Sequence, residues 1–262
     1  MEFTLGLAQV SWHAREGALA RVRAWAERAA EAGVDLLVFP EFLQTPFEAS
    51  KDEYLAAAEP LDGSFASGVD AIAAELGLWI LYTANERDQE GGKPYNTAVL
   101  VDAGGRRRAV YRKTHLYDAG SEWESEKMQP GGRIFEPCDT PFGRLGLGIC
   151  YDLRFPELAR KQALGGCELL LYPAAWVAGP GKADQWQTLL KARAMENGIF
   201  VAGVSSTGGV RCGHSLVVGP FGQVLASAGV QEELLTVRID CADVALARAA
   251  VPVLEHRRPE LY

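Results

Sequence analysis

The apolar positions of this chain fall into two kinds of run. Leu36-Leu37-Val38-Phe39-Pro40 and Leu169-Leu170-Leu171-Tyr172-Pro173 are continuous and short. That is the pattern of strands buried on both faces. Elsewhere apolar residues recur at helical spacing. Leu19, Val22, Trp25, Ala26 and Ala29 predict a helix from Gly17 to Ala32, stopped by Gly33. A second helix should start at Pro156, a favourable first-turn residue, and end near Gly165-Gly166. A third should run from about Ala183 to Asn197 and stop at Gly198. Strands over 96–101 and 109–112 read as a hairpin joined by AGGRRR, with Arg106-Arg107-Arg108 in a solvated turn.

The runs also repeat in order. LGLAQV (5–10) is echoed by LGLGIC (145–150), and AGVDLLVFPE (32–41) by GGCELLLYPA (165–174). AAELGLWI (73–80) matches AMENGIFV (194–201), and NTAVLVDAG (96–104) matches HSLVVGPFG (214–222). Each half reads strand, helix, strand, helix, strand, strand. Two such halves can stack their sheets face to face with helices outside, an α/β fold of α-β-β-α sandwich type. No Pro/Gly/Ser-rich linker divides them, so one domain over 1–262 is expected. The tail 249–262 lies outside the repeat and is a candidate interface segment.

Composition narrows the function. The chain has 262 residues and a net charge of −8, which argues against a nucleic-acid partner. The first residues lack the basic flank and long apolar stretch of a signal peptide. No apolar run approaches the roughly 20 residues of a membrane span. The 5 cysteines form no CxxC pair, and the 4 histidines (13, 115, 214, 256) lack metal-ligand spacing. The expectation is a cytoplasmic protein with no metal and no membrane partner. GPGK (179–182) lacks phosphate-loop spacing, GLGICY lacks the third glycine of a dinucleotide fingerprint, and no G-x-S-x-G elbow occurs.

The repeat acts as an internal control. Glu41 follows Pro40, whereas the matching Pro173 is followed by Ala174; Cys150 matches Val10. The scaffold therefore requires neither the carboxylate nor the thiol. Both departures fall at strand C-terminal ends, where α/β sheets bind ligands. Cys150 reads either as an inert buried thiol or as a nucleophile exposed on a strand-to-helix turn. Glu41 has apolar neighbours on both sides, so it should be buried and need a partner. Lys113, in VYRKTHLYD, ends the apolar strand AVY and by itself reads as a surface lysine at a strand end.

Together these residues resemble the nitrilase superfamily of carbon–nitrogen hydrolases, over essentially the whole chain. LLVFPEF, YRKTHLYD and GICYDLRFPELA carry the resemblance. It implies a Glu41–Lys113–Cys150 triad, with Glu124 of WESEKMQPG as a supporting glutamate. Tyr-Asp after the cysteine resembles the omega-amidase branch, as do CGHS (212–215) and the ending PVLEHRRPELY; nitrilases proper carry Cys-Trp-Glu there. The resemblance also implies a homodimer, and no cofactor is expected.

The implied reaction is attack of Cys150 on an amide, with Glu41 as proton carrier. Lys113 and the backbone N–H of Tyr151 would hold the oxyanion. Reference thiol and carboxyl pKa values differ by about 4 units, so Lys113 and backbone donors are expected to lower the thiol. His115 is expected in a supporting position. Arg154 is the candidate anchor for a substrate carboxylate, or else an ion-pair partner of Asp152 or Glu157. Trp176 either walls the pocket or packs in the core. The leading expectation is an amidase for a small omega-amide such as 2-oxoglutaramate. Alternatives are a deaminated-glutathione amidase, an N-carbamoyl amidohydrolase, a nitrilase, or a catalytically idle scaffold.

Overall fold

The computed structural model describes residues 2–11, 17–46, 48–120 and 122–261, so His13 and Tyr262 lie outside the described residues. The first half contains β1 (Glu2–Gln9), α1 (Ala18–Glu31), β2 (Leu36–Val38), α2 (Lys51–Ala57), α3 (Ser64–Leu76), β3 (Trp79–Glu86), β4 (Tyr95–Val101) and β5 (Arg107–Arg112). A ribbon of β6 (Asp118–Ala119) and β7 (Glu122–Trp123) leads into α4 (Glu124–Lys127). The second half continues with β8 (Cys138–Thr140), β9 (Gly143–Leu147), α5 (Pro156–Leu164), β10 (Leu169–Ala174), α6 (Lys182–Met195) and β11 (Phe200–Ser205). A second ribbon, β12 (Thr207–Gly208) and β13 (Arg211–Cys212), precedes β14 (Leu216–Val218), β15 (Val224–Ser227), β16 (Glu233–Asp240) and α7 (Ala242–Ala250).

The duplication is real to the level of strand register. One sheet has the order β16-β1-β2-β3-β4-β5 and the other β8-β9-β10-β11-β14-β15. Leu5 and Leu7 pair with Leu36 and Val38 in parallel, and their counterparts Leu145 and Leu147 pair with Leu169 and Leu171. Leu36 lies beside Trp79, and Leu169 beside Phe200, as the sequence alignment of the halves requires. Alternation sorts these side chains. Leu36 and Val38 join Leu147 and Leu171 in the core between the sheets, while Leu37 faces Val22, Trp25 and Val69 of α1 and α3. The result is the α-β-β-α sandwich.

Helix approach explains one glycine pair. A Cβ at Gly6 would stand 2.9 Å from Val34 Cγ1, and one at its twin Gly146 would stand 2.6 Å from Gln162 Oε1. Both positions let the outer layer close on the sheet.

Several boundaries differ from expectation. β5 begins at Arg107, so only Arg106 remains in the turn; Arg107 instead pairs with Asp70 at 2.5 Å. α6 ends at Met195, two residues early. β9 ends at Leu147, with Gly148 N–H still donating to Leu171 O, and the chain then departs from the sheet before Cys150. Helix α2 was not foreseen, although Ser50 and Glu53 form a capping box at its start.

Candidate active site

The strand ends bring the site together. Glu41 lies just past β2, Lys113 directly follows β5, and Glu124 opens α4. Cys150 starts a 3-10 turn after β9, and Trp176 lies just past β10. Glu41, Lys113 and Glu124 are each at most 2% exposed. Lys113 Nζ donates to Glu41 Oε1 at 2.8 Å and to Glu124 Oε1 and Oε2 at 2.9 and 2.7 Å. Asn96 Nδ2 donates to Glu41 Oε1 at 2.8 Å, and Ala175 N–H to Glu41 Oε2 at 2.9 Å. Tyr117 N–H donates to Glu124 Oε2 at 2.7 Å. Every oxygen of the two carboxylates therefore has a donor, as buried charge requires.

Electrostatics follow from this packing. Burial works against the Lys113 ammonium, but Glu124 and Glu41 outweigh it and hold its pKa well above the ordinary lysine value. Burial raises Glu124, with Lys113 opposing and Glu41 adding repulsion. For Cys150 the expectation fails in sign. Burial and the neighbouring Glu41 carboxylate push the thiol well above its ordinary value, against the pull of Lys113 and the Ala175 N–H. Burial and the Glu41 carboxylate thus favour the neutral thiol over the thiolate at this position.

The turn that carries Cys150 is strained and braced. Cys150 has φ of 45°, a left-handed conformation rare for a side-chain-bearing residue. Asp152, fully buried, holds it. Its Oδ2 accepts from Ile149 N–H at 2.9 Å and from Tyr111 OH at 2.7 Å. Its Oδ1 accepts from His115 N–H at 3.1 Å and meets His115 Nδ1 at 2.8 Å. One carboxylate thus ties the cysteine turn to the segment on both sides of Lys113. His115 also stacks on Phe155 with ring centroids 3.7 Å apart, the supporting position expected of it. Tyr151 N–H sits in the first turn of the 3-10 segment, where N–H groups have no intrahelical acceptor.

A pocket of about 370 Å³, its open mouth included, is lined by Glu41, Lys113, Cys150, Tyr151, Arg154 and Trp176, among others. Arg154 pairs with neither Asp152 nor Glu157. Its guanidinium lies 4.9 Å from the Trp176 ring centroid and its Nη2 donates to Gln185 Oε1 at 2.9 Å. Trp176 does both of the things expected of it: it lines this pocket and packs on Trp186 in the core.

Three residues of the site escaped sequence reading. Asn96 could have been found, because the repeat sets it against His214. Asp152 stood in the cysteine motif but was weighed only as a partner for Arg154. Ala175 acts through its backbone and left no signal.

A thiol, a carboxylate and an ammonium converging on one pocket make the constellation of a covalent thiol hydrolase. The carbon–nitrogen hydrolase family model matches residues 4–249, and the chain belongs to that family of enzymes acting on amides. It is 38% identical over 250 residues to the deaminated glutathione amidase of Mus musculus, covering 90% of this chain and 77% of that one. It is 36% identical over 253 residues to the omega-amidase NIT2 of Homo sapiens, covering 92% and 90%. Among solved structures, the amidase of Nesterenkonia sp. AN1 matches with a TM-score of 0.84 and 30% identity, over 99% of this chain and 98% of that one. That structure is of a Glu-to-Gln variant with acrylamide added at its active-site cysteine.

Proposed function

We propose that this chain releases ammonia from the terminal amide of a small carboxylate-bearing acid, of the 2-oxoglutaramate type, through a thioester on Cys150. The observation that carries this reading is the meeting of the Cys150 thiol with the Glu41–Lys113–Glu124 cluster in a pocket that Arg154 also lines. An amide is a poor electrophile, and a covalent route divides one hard step into two. As sulfur bonds to the carbonyl carbon, its proton passes to Glu41. Since the resting thiol is neutral, transfer and attack go together. The Lys113 ammonium and Tyr151 N–H hold the oxyanion, and Glu124 keeps Lys113 charged and aimed. The oxyanion collapses, the C–N bond breaks, and nitrogen leaves as ammonia with the proton from Glu41. Water then gives a proton to Glu41 and its oxygen to the thioester carbon. The C–S bond breaks, and the proton returns to sulfur.

A second reading keeps the chemistry and enlarges the leaving amine, as in deaminated glutathione; the 38% identity to the mouse amidase of that name favours it. Steady-state rates on 2-oxoglutaramate, deaminated glutathione and an N-carbamoyl amino acid decide between them. A kcat/KM for 2-oxoglutaramate far below the others rejects the omega-amidase reading. Mass spectrometry of the trapped acyl-enzyme tests Cys150 directly. We also propose a homodimer, supported by exposed Val251 and Leu261 in the tail; sedimentation equilibrium tests it.

A further inference from the structure

One buried amide touches every member of the Glu41–Lys113–Glu124 cluster. Asn96 is the second residue of β4 and is buried. Its backbone oxygen accepts from Lys113 N–H at 2.8 Å. Its Nδ2 donates to Glu41 Oε1 at 2.8 Å and to Glu124 Oε1 at 3.4 Å.

The donors are shared unevenly among the carboxylate oxygens. Glu41 Oε1 accepts from Lys113 Nζ and Asn96 Nδ2, and Glu124 Oε1 accepts from the same two groups. Glu124 Oε2 accepts from Lys113 Nζ and Tyr117 N–H. Among the described residues, Glu41 Oε2 accepts a single hydrogen bond, from Ala175 N–H at 2.9 Å. A carboxylate oxygen offers two lone pairs. Three of the four oxygens are therefore filled, and Glu41 Oε2 keeps a lone pair for an arriving proton. The same Ala175 N–H bears on the Cys150 sulfur, so the thiol stands on the Oε2 side of the carboxyl. Without the Asn96 amide, Oε1 of each glutamate would also have a lone pair open. A proton settling there would lie on the Lys113 side of the cluster, away from the sulfur.

We propose that Asn96 is a positioning residue that makes Glu41 Oε2 the single proton carrier of the reaction. This role rests on the amidase reading above and refines how Glu41 works in it. The Sγ–H bond breaks as the Oε2–H bond forms, and Oε2 then gives that proton to the leaving nitrogen. In the second half the attacking water gives a proton to Oε2, which returns it to sulfur as the C–S bond breaks. Throughout, Oε1 serves as the carbonyl oxygen and keeps its bonds to Lys113 and Asn96. No buried donor loses its acceptor at any stage, a loss that costs more than a typical hydrogen bond contributes.

The test uses the full chain and initial rates of hydrolysis of 2-oxoglutaramate and deaminated glutathione. Asn96→Leu keeps the bulk and the backbone bond to Lys113 but removes the donor. It should lower kcat about 10–100-fold and leave KM within about twofold, because acylation and deacylation both pass through Oε2. Asn96→Asp gives a readout that a structural role would not move. The new carboxyl faces Glu41, Glu124 and Lys113; ionised it repels the glutamates, and protonated it donates as the amide did. Its kcat relative to wild type should therefore rise several-fold as the pH falls from about 8 to about 6. Should Asn96→Leu fail to fold, the Asn96→Asp profile decides alone. A kcat in Asn96→Leu within about twofold of wild type overturns the role of Asn96 and leaves the amidase reading standing. So does an Asn96→Asp ratio that stays flat with pH. A wild type that hydrolyses neither amide overturns the amidase reading, and the role of Asn96 with it.

Discussion

The two halves of this chain share a backbone and divide the chemistry. β2 and β10 begin the same Leu-Leu-x-x-Pro run, yet in one half the proline is followed by Glu41 and in the other by Ala174. β1 leads to Val10, fully buried, and β9 to Cys150, half-buried at the pocket. The twin strand ends do not merely resemble each other; they touch. Glu41 N–H donates to Ala174 O at 3.3 Å, and Ala175 N–H donates to Glu41 Oε2 at 2.9 Å. The first half supplies the Glu41 and Glu124 carboxylates and the Lys113 ammonium, and the second supplies the Cys150 thiol and the Ala175 N–H. Register and core belong to the repeat, while the residues of the proposed reaction fall where the repeat is broken.

Substitutions can test that division. Cys150→Ala should reduce ammonia release by about 10³-fold or more, with thermal unfolding almost unmoved, since the twin position carries an ordinary apolar residue. A large loss of stability there would mean that the scaffold needs the thiol. Lys113→Met should destabilise the fold by about 3–5 kcal/mol in urea titration, because Glu41 and Glu124 are left buried without their cation. Asp152→Asn should lower kcat by roughly 10–100-fold with little change in KM, since it loosens the cysteine turn and the Lys113 segment and not the substrate's far end. The smallest effect is the sharpest in sign. Glu41 raises the Cys150 thiol, so Glu41→Gln should move the pH midpoint of iodoacetamide alkylation down while hydrolysis collapses. A midpoint that stays or rises would mean that burial alone sets the thiol.

Much of the fold was legible because a duplicated pattern checks itself: the succession of strands and helices in each half, the helix starts and the equivalence of the Leu5–Leu36 and Leu145–Leu169 pairs follow from aligning the halves. What fell outside the repeat was harder to see. β16 pairs with β1 from the far end of the chain, a contact across more than 220 residues that no local pattern announces. Arg107 and Arg108 look like turn residues, but Asp70 on α3 and Asp102 at the end of β4 give them partners. In the site, Glu41, Lys113 and Cys150 were marked by residue type and motif. The direction of the thiol pKa was not, because it depends on how deeply the pocket excludes water and on which charge lies nearest, and both are tertiary facts.

The seam between Glu41 and the end of β10 has a kinetic corollary. A chain severed in the 129–137 connection would leave each fragment with the greater part of a sheet, and neither would be an enzyme. Glu41 on one fragment would lack the Ala175 N–H that holds it, and the Cys150 thiol on the other would lack the proton acceptor of the proposed reaction. Turnover would return only on mixing, with second-order onset and a dependence on fragment concentration, so that the appearance of activity would itself report the closing of the two sheets upon one another.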